Sequence, residues 1–460
     1  MKDLKDFNNV YFVGAGGIGM AALERYFLAA GKRVAGYDRT PSPLTRHLIE
    51  EGVEISFEDS VKTIPETMKN ADDTLVVYTP AVPSTNEIFT YFATGGFEML
   101  KRAAVLGIIT RSSKAICFAG THGKTTTSSM AAHLLEVSGT GSNAFLGGVL
   151  RNYGSNLLLS PTSPWSVIEA DEFDRSFHHL TPSIAVITAT DPDHLDIYGT
   201  EEAYLESFAR FTELIKPDGI LILHEGLKLK PRPAPGVKVY YYSREKGDFH
   251  AENIRIGDGR IVFDFVGPDV RINDIDLGVP VEINVDNAVA AIAATWLTGG
   301  VTPDSIRRAM ATFMGPERRF EFHLKEEGPR GRAIIDDYAH HPDELKASIG
   351  SVKALYPDRE LTVAFQPHLY SRTRDFAPEF ADALSLADNV ILLDIYPARE
   401  EPIPGVTSRI IFDKIKNEKK LLITKNDLVE TIKNTNFDIL LTVGAGDINL
   451  YLDEIVGNVN

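Results

Sequence analysis

One cysteine, Cys117, stands in 460 residues, so neither a disulfide framework nor a thiolate zinc site is available to this chain. Basic residues are few beside acidic ones, 47 Lys and Arg against 64 Asp and Glu. The resulting charge of −17 excludes a nucleic-acid coat, because phosphate backbones are held by clustered cations. No run approaches the ~18 apolar residues of a membrane span, and the opening MKDLKDFNNVYFVG lacks the charged–apolar–small layout of a secretory signal. Internal repeats and low-complexity tracts are also missing. What is present is an ordinary globular composition, 43% hydrophobic and 24% charged, with length for roughly two to four domains. The expectation is an acidic, multidomain, cytoplasmic protein with no membrane insertion.

Apolar runs at 9–13, 33–37 and 75–79 read as buried strands, with a helical stretch at 20–30 between the first two. The pattern restarts near 107–114 with a strand at 115–119 and a helix at 125–137, then β-like runs at 166–169, 184–188 and 219–223. Gly315-Pro316 marks a second break, followed by strands at 332–336, 361–365, 389–394 and 439–443. Short strands alternating with helices predict an α/β chain of parallel, doubly wound sheets in three blocks, 1–107, 108–316 and 317–460.

Four groups of residues carry chemistry. Gly14, Gly16 and Gly19 form G-x-G-x-x-G between a strand and a helix, with Asp38 at the end of the next strand. Such glycines let the backbone approach a pyrophosphate, and the acid can hold a ribose hydroxyl; the bland reading is a turn that only packs helix on strand. Gly120, Thr121, His122, Gly123, Lys124, Thr125 and Thr126 make a second glycine turn, in which two residues separate the glycines where the common phosphate loop has four. Its backbone N–H groups can cradle phosphates, Lys124 can neutralise the transferred phosphate, and the Thr125 hydroxyl can reach Mg²⁺. Glu169, Asp171, Glu172 and Asp174 follow one strand, and Asp191, Asp193, His194 and Asp196 another. Both suit a hard divalent cation bridging phosphates, or are solvated acidic loops. In the third block, Asp336–Pro342 (DDYAHHP) and Phe365–Arg372 (FQPHLYSR) follow strands and read as substrate contacts before metal ligands. Arg318 and Arg319 reach for phosphate or sit as a solvated pair. Residues 396–402 and 444–448 are weaker polar segments, and Cys117 reads as core.

The set, in this order, resembles the Mur ligases: GAGGIGM at 14–20, GTHGKTTT at 120–127, EADEFDRSF at 169–177, DHLD at 193–196, DDYAHHP at 336–342, FQPHLYSRT at 365–373, REEPIPGVTS at 399–408 and GAGDI at 444–448. The resemblance implies an N-terminal Rossmann-like domain for a UDP-sugar, a central P-loop ATPase-type domain with a parallel or mixed sheet, and a C-terminal Rossmann-like domain for an amino acid. It is closest to the branch that uses ATP to join L-alanine to the lactyl carboxylate of UDP-N-acetylmuramate through an acyl phosphate, in peptidoglycan precursor synthesis. The alternative is the recycling branch, which attaches a murein tripeptide to the same UDP-sugar. The resemblance further implies Mg²⁺, with Mn²⁺ as a substitute, on Thr125, Glu169 and His194, with Glu172 a weaker choice. Lys124, Glu169 and His194 would be catalytic. Asn284 would meet adenine and Asp337 the ATP ribose, while Tyr338, His340, His368 and Arg372 would surround L-alanine. Domain motion is expected, to keep water from the acyl phosphate.

The sequence departs from the family pattern in three places. Ala189 stands where the family carries Asn, leaving its hydrogen bond to Thr188 or Thr190. Val281 and Ile283 replace a glycine and a histidine, although Asn284 and Asn287 remain. Leu369 replaces an arginine of some relatives, which makes Arg372 the carboxylate clamp. No lysine is placed for the carbamylated metal-bridging residue of other branches. A nicotinamide dehydrogenase would leave the phosphate loop and both acidic segments idle, and a non-catalytic nucleotide switch would not need the third block.

Overall fold

The computed structural model describes residues 3–326, 328, 331–398 and 400–459, and of Leu195 and Asp196 the backbone alone. Arg399 and the Asp196 side chain, both within motifs quoted above, lie outside the described residues. Two compact units emerge: Met1–Glu252 with Phe265–Ile272 and Asp286–Met310, and Asn253–Asp264 with Asn273–Val285 and Ala311–Asn460.

The first unit holds two large sheets. One is five-stranded and wholly parallel, in the order Glu54–Ser56, Arg33–Tyr37, Asn9–Val13, Thr74–Tyr78, Glu98–Lys101. Every residue of Asn9–Val13 is buried, as continuous apolar runs must be when helices cover both faces of a sheet. The other has seven strands, in the order Lys238–Tyr242, Ile220–His224, Ile184–Ile187, Lys114–Ala119, Trp165–Glu169, Asn143–Leu150, Ser155–Leu158. Its last pair is antiparallel and the rest parallel. Lys114–Ala119 therefore lies inside the sheet, flanked by two strands whose ends carry the acidic segments. This is the crevice position where α/β sheets bind ligands.

One continuous core, including Phe12, Phe27, Phe145, Phe177, Phe208 and Phe211, joins these two sheets. Burying each such ring contributes about 1.5–3 kcal/mol. The helix Ile18–Ala29 after the first glycine turn packs on the second sheet: Tyr26 meets Phe145 at 5.5 Å, and Asn156 donates to the Ile18 carbonyl at 2.7 Å. A three-stranded sheet of His250–Gly257, Arg260–Gly267 and Val270–Asp276 follows.

In the second unit a six-stranded sheet runs Glu321–Lys325, Ala333–Asp337, Ile439–Val443, Leu361–Phe365, Asn389–Leu392, Lys420–Leu422. Only its first pair is antiparallel. The strands read from the sequence in all three blocks form, most within a residue of their expected ends. Glu54–Ser56, Glu98–Lys101, Asn143–Leu150, Ser155–Leu158, Lys238–Tyr242, Glu321–Lys325, Lys420–Leu422 and the three-stranded sheet were not expected.

Candidate active site

The second glycine turn leaves the buried strand Lys114–Ala119 and enters the helix Lys124–Ser138. Gly120 (φ +140°) and Gly123 (φ +82°) adopt backbone that side chains resist, and a Cβ at Gly123 would lie 2.7 Å from the Asn287 amide oxygen. The turn is clamped from below. Thr188 donates to the His122 carbonyl, the Ala189 carbonyl accepts from the Thr121 N–H at 3.1 Å, and Thr127 donates to Asn287 at 3.1 Å. Thr188 thus supplies a side-chain hydrogen bond beside the departure at Ala189. The helix opens with Lys124 and Thr125, so its unpaired N–H groups and positive dipole end are available to an anion. Lys124 Nζ donates to the Gly120 carbonyl at 2.5 Å and forms an ion pair with buried Glu172 at 2.8 Å.

Glu169 ends the strand Trp165–Glu169. It accepts the Gly147 N–H at 3.0 Å and a hydrogen bond from Thr125, while burial pushes its carboxyl above the usual range. A Cβ on Gly147 would collide with that carboxylate. A hydroxyl and a carboxylate side by side at a phosphate loop are hard oxygen donors and fit Mg²⁺, which fills its shell with phosphate oxygens and water. Among the described residues, no three His, Cys, Asp or Glu gather as a pre-built metal cage. His194 sits at φ +52°, its ring edge-on to Phe173 at 5.2 Å and its Nε2 3.6 Å from Asp193.

The first glycine turn borders a cavity of about 920 Å³ that Gly14, Gly16, Gly19 and Asp38 line together with Lys101 and Arg102. Asp38 is part of the turn itself, accepting the N–H of Gly16 at 2.7 Å and of Thr40 at 3.0 Å. A Cβ at Gly19 would meet the Arg102 guanidinium, which lies over it. The loop 169–174 closes one side: Asp171 accepts from Arg102 at 3.1 Å and Asp174 from Lys101 at 3.0 Å.

In the second unit, side chains expected around the amino acid form a row. Tyr338 meets His340 at 5.4 Å, His340 meets His368 at 6.1 Å, and His368 stacks on Tyr396 at 5.8 Å. Arg372, in the short helix Tyr370–Asp375, holds a buried Nη1 without a hydrogen-bond partner. Asp337 accepts the N–H groups of Tyr338 at 3.0 Å and Phe320 at 3.3 Å, and burial raises its carboxyl to about 6. Buried Asn284 donates to the Val279 carbonyl at 3.2 Å. Arg318, expected at phosphate, donates to Asp336 (3.3 Å) and to the carbonyls of Gly446 (3.0 Å) and Gly444 (2.5 Å), which ties it to the ends of neighbouring strands.

Three family descriptions match in succession: "Mur ligase family, catalytic domain" over residues 9–114, "Mur ligase middle domain" over 118–295, and "Mur ligase, glutamate ligase domain" over 318–446. A UDP-N-acetylmuramate–L-alanine ligase of Parabacteroides distasonis is 61% identical over 454 residues, 98% of this chain and 97% of that protein. The chain belongs to the Mur ligase family. A relative of the same name from Phocaeicola vulgatus is 57% identical over 100% of the chain and 99% of its own. The crystal structure of a UDP-N-acetylmuramate–alanine ligase from Thermotoga maritima superposes with a TM-score of 0.81 at 26% identity, covering 98% of this chain and 99% of that one. A murein peptide ligase from Psychrobacter arcticus shares the fold at 21% identity and a TM-score of 0.62. The fold is the three-domain α/β Mur ligase fold, with parallel and mixed sheets.

In this Mur ligase, Tyr204 was not singled out from sequence, and Thr188 and Asn287 were named only beside departures from the family pattern. Thr188, Asn287 and Tyr204 hold the phosphate loop from strands and helices distant in the chain. Lys101 ends a short strand and Arg102 opens the next helix, a position that could have marked the pair, and Tyr396 lay inside a segment noted only as polar.

Proposed function

We propose that this Mur ligase joins L-alanine to the lactyl carboxylate of UDP-N-acetylmuramate, using ATP and releasing ADP and phosphate. The observation that carries the chemistry is the meeting of Lys124, Thr125, Glu169 and a phosphate-ready helix terminus in the unit that also holds the 920 Å³ cavity. The full-length relatives named as L-alanine ligases favour this reading over tripeptide recycling. A carboxylate resists amine attack because oxide is a poor leaving group. Its oxygen therefore takes the γ-phosphoryl group of ATP, and ADP departs. The alanine amine attacks the acyl carbon, loses a proton, and phosphate leaves as the amide forms.

Bringing two anions together makes charge neutralisation the main task. Lys124 and the loop N–H groups supply part of it. Thr125, Glu169 and His194 would hold Mg²⁺, or Mn²⁺, which offsets phosphate charge when bound. Gly14, Gly16, Gly19 and Asp38 contact the UDP-sugar, with Lys101 and Arg102 set for its diphosphate. Asn284 and Asp337 serve the nucleoside of ATP. Tyr338, His340 and His368 enclose L-alanine, whose carboxylate suits the planar fork of Arg372. We place the three domains at 1–107, 108–316 and 317–460, and the reaction in the cytoplasm. Phosphate release with ATP, Mg²⁺ and UDP-N-acetylmuramate, with L-alanine or the murein tripeptide as third substrate, tests the reading. Release with L-alanine and a product of the amide's mass is expected; release only with tripeptide overturns it.

A further inference from the structure

The loop 169–174 carries four carboxylates, and each has a partner within the first unit. The two glutamates face the phosphate loop: Glu169 touches Gly147 and Thr125, and Glu172 brackets Lys124 Nζ at 2.9 and 2.8 Å. Both aspartates face the other way, Asp171 to Arg102 and Asp174 to Lys101, two cations that line the first cavity. One short strap therefore connects the phosphate loop to that cavity. Tyr198 donates to the Glu172 carbonyl at 2.5 Å, the Arg175 guanidinium covers the Tyr198 ring at 4.7 Å, and Asp174 and Arg175 take left-handed backbone at φ +50° and +56°.

Lys124 has three N–H donors, and Gly120 and the Glu172 carboxylate already occupy its near side. A nucleotide phosphate that draws the ammonium towards itself leaves that carboxylate, buried at 1% exposure, with a weakened counter-ion. Stranding a buried charge opposes binding unless the strap can move.

We propose that Glu172 is a positioning residue that competes with a nucleotide phosphate for Lys124, and that filling the first cavity weakens its hold. An anion bound there takes Arg102 and Lys101 from Asp171 and Asp174, slackens the strap, and frees Lys124. The identity of that anion, a sugar nucleotide diphosphate, rests on the function proposed above. Because coupling between two ligands is reciprocal, a nucleotide bound at Lys124 also tightens the cavity's hold on its own ligand.

The test titrates a non-hydrolysable ATP analogue with Mg²⁺ into the full-length chain, with and without UDP-N-acetylmuramate. In the wild type, the sugar nucleotide should tighten analogue binding about fivefold, within the usual range of such couplings. Glu172→Gln should bind the analogue tightly by itself, and the sugar nucleotide should then add nothing. Asp171→Asn, which does not touch Lys124, should also tighten analogue binding and shrink the coupling, a result that a purely structural Glu172 would not give. Unchanged or weaker analogue binding in either variant overturns the proposal, as does wild-type coupling of unity while both ligands bind. Failure of the wild type to bind UDP-N-acetylmuramate would instead sink the proposed function, and the analogue-only arms would still decide the role of Glu172.

Discussion

Arg372 lies in a helix of six residues, and its Nη1 is buried without a partner, an arrangement that costs free energy unless a ligand completes it. An amino-acid carboxylate would do so. Arg372→Ala should raise the Michaelis constant for L-alanine about 30-fold, the weight of a charge-assisted pair, while that for ATP stays within about twofold. Initial-rate measurements at varied L-alanine check this, and an unchanged alanine constant moves the clamp elsewhere. Gly147 makes the opposite demand, since its missing side chain leaves space that the Glu169 carboxylate uses. Gly147→Ala should displace that carboxylate and raise the Mg²⁺ concentration for half-maximal activity about tenfold, the usual cost of disturbing what orients a metal ligand. Magnesium dependence equal to wild type would remove Glu169 from the metal site. Cys117 is inert by comparison: it is fully buried, and desolvation pushes its thiol far above the usual range.

The helix Lys124–Ser138 begins at the phosphate loop and is buried along most of its length. His133 lies on it at 4% exposure, bonded to the Tyr153 hydroxyl at 2.8 Å, and burial lowers its pKa to about 4. The folded protein thus keeps His133 neutral at pH values where the unfolded chain, with a pKa near 6.5, takes up a proton. Stability is lost as pH falls from about 6.5 towards 4, by about 2 kcal/mol at pH 5. His133→Gln removes that penalty, so relative to wild type it should gain about 2 kcal/mol between pH 7.5 and 5. Parallel denaturant titrations measure the difference; a constant gap between the two proteins would show that His133 titrates normally. Elements of this kind were readable in advance, because buried parallel strands are continuous apolar runs bounded by glycine and the phosphate-loop glycines need their backbone shape. Asn143–Leu150 was not readable, since its tail, Gly147-Gly148, breaks the strand pattern to make room for Glu169. The three-stranded sheet was hidden for another reason. His250–Gly257 is largely exposed and charged, so it shows little of the apolar alternation that marks a strand.

Across the whole molecule, chemistry is divided between parts that sequence reading treated unequally. Lys124, Thr125, Glu169 and the first glycine turn were legible because phosphate binding demands particular residues at particular spacings. Glu172 was read as a reserve metal ligand, because no local pattern tells that a buried carboxylate will meet a lysine 48 positions earlier. The inward turn of Arg318 onto the Gly444 and Gly446 carbonyls was hidden for a similar reason, since two adjacent arginines look alike in sequence. The division also separates the reaction in time. Lys124, Thr125, Glu169, His194 and the first cavity belong to the first unit, whereas Asn284, Asp337, Tyr338, His340, His368 and Arg372 belong to the second. With the side chains proposed for L-alanine set apart from Lys124, Thr125 and Glu169, acyl phosphate formation is expected to need no amino acid. With ATP labelled by ¹⁸O in the β,γ-bridge, positional exchange of the label should occur when UDP-N-acetylmuramate is present and L-alanine is omitted. It should vanish when the sugar nucleotide is withheld. Exchange that demands L-alanine would mean that the amino acid enters before the carboxylate is activated, and the acyl phosphate would lose its place as an independent first step.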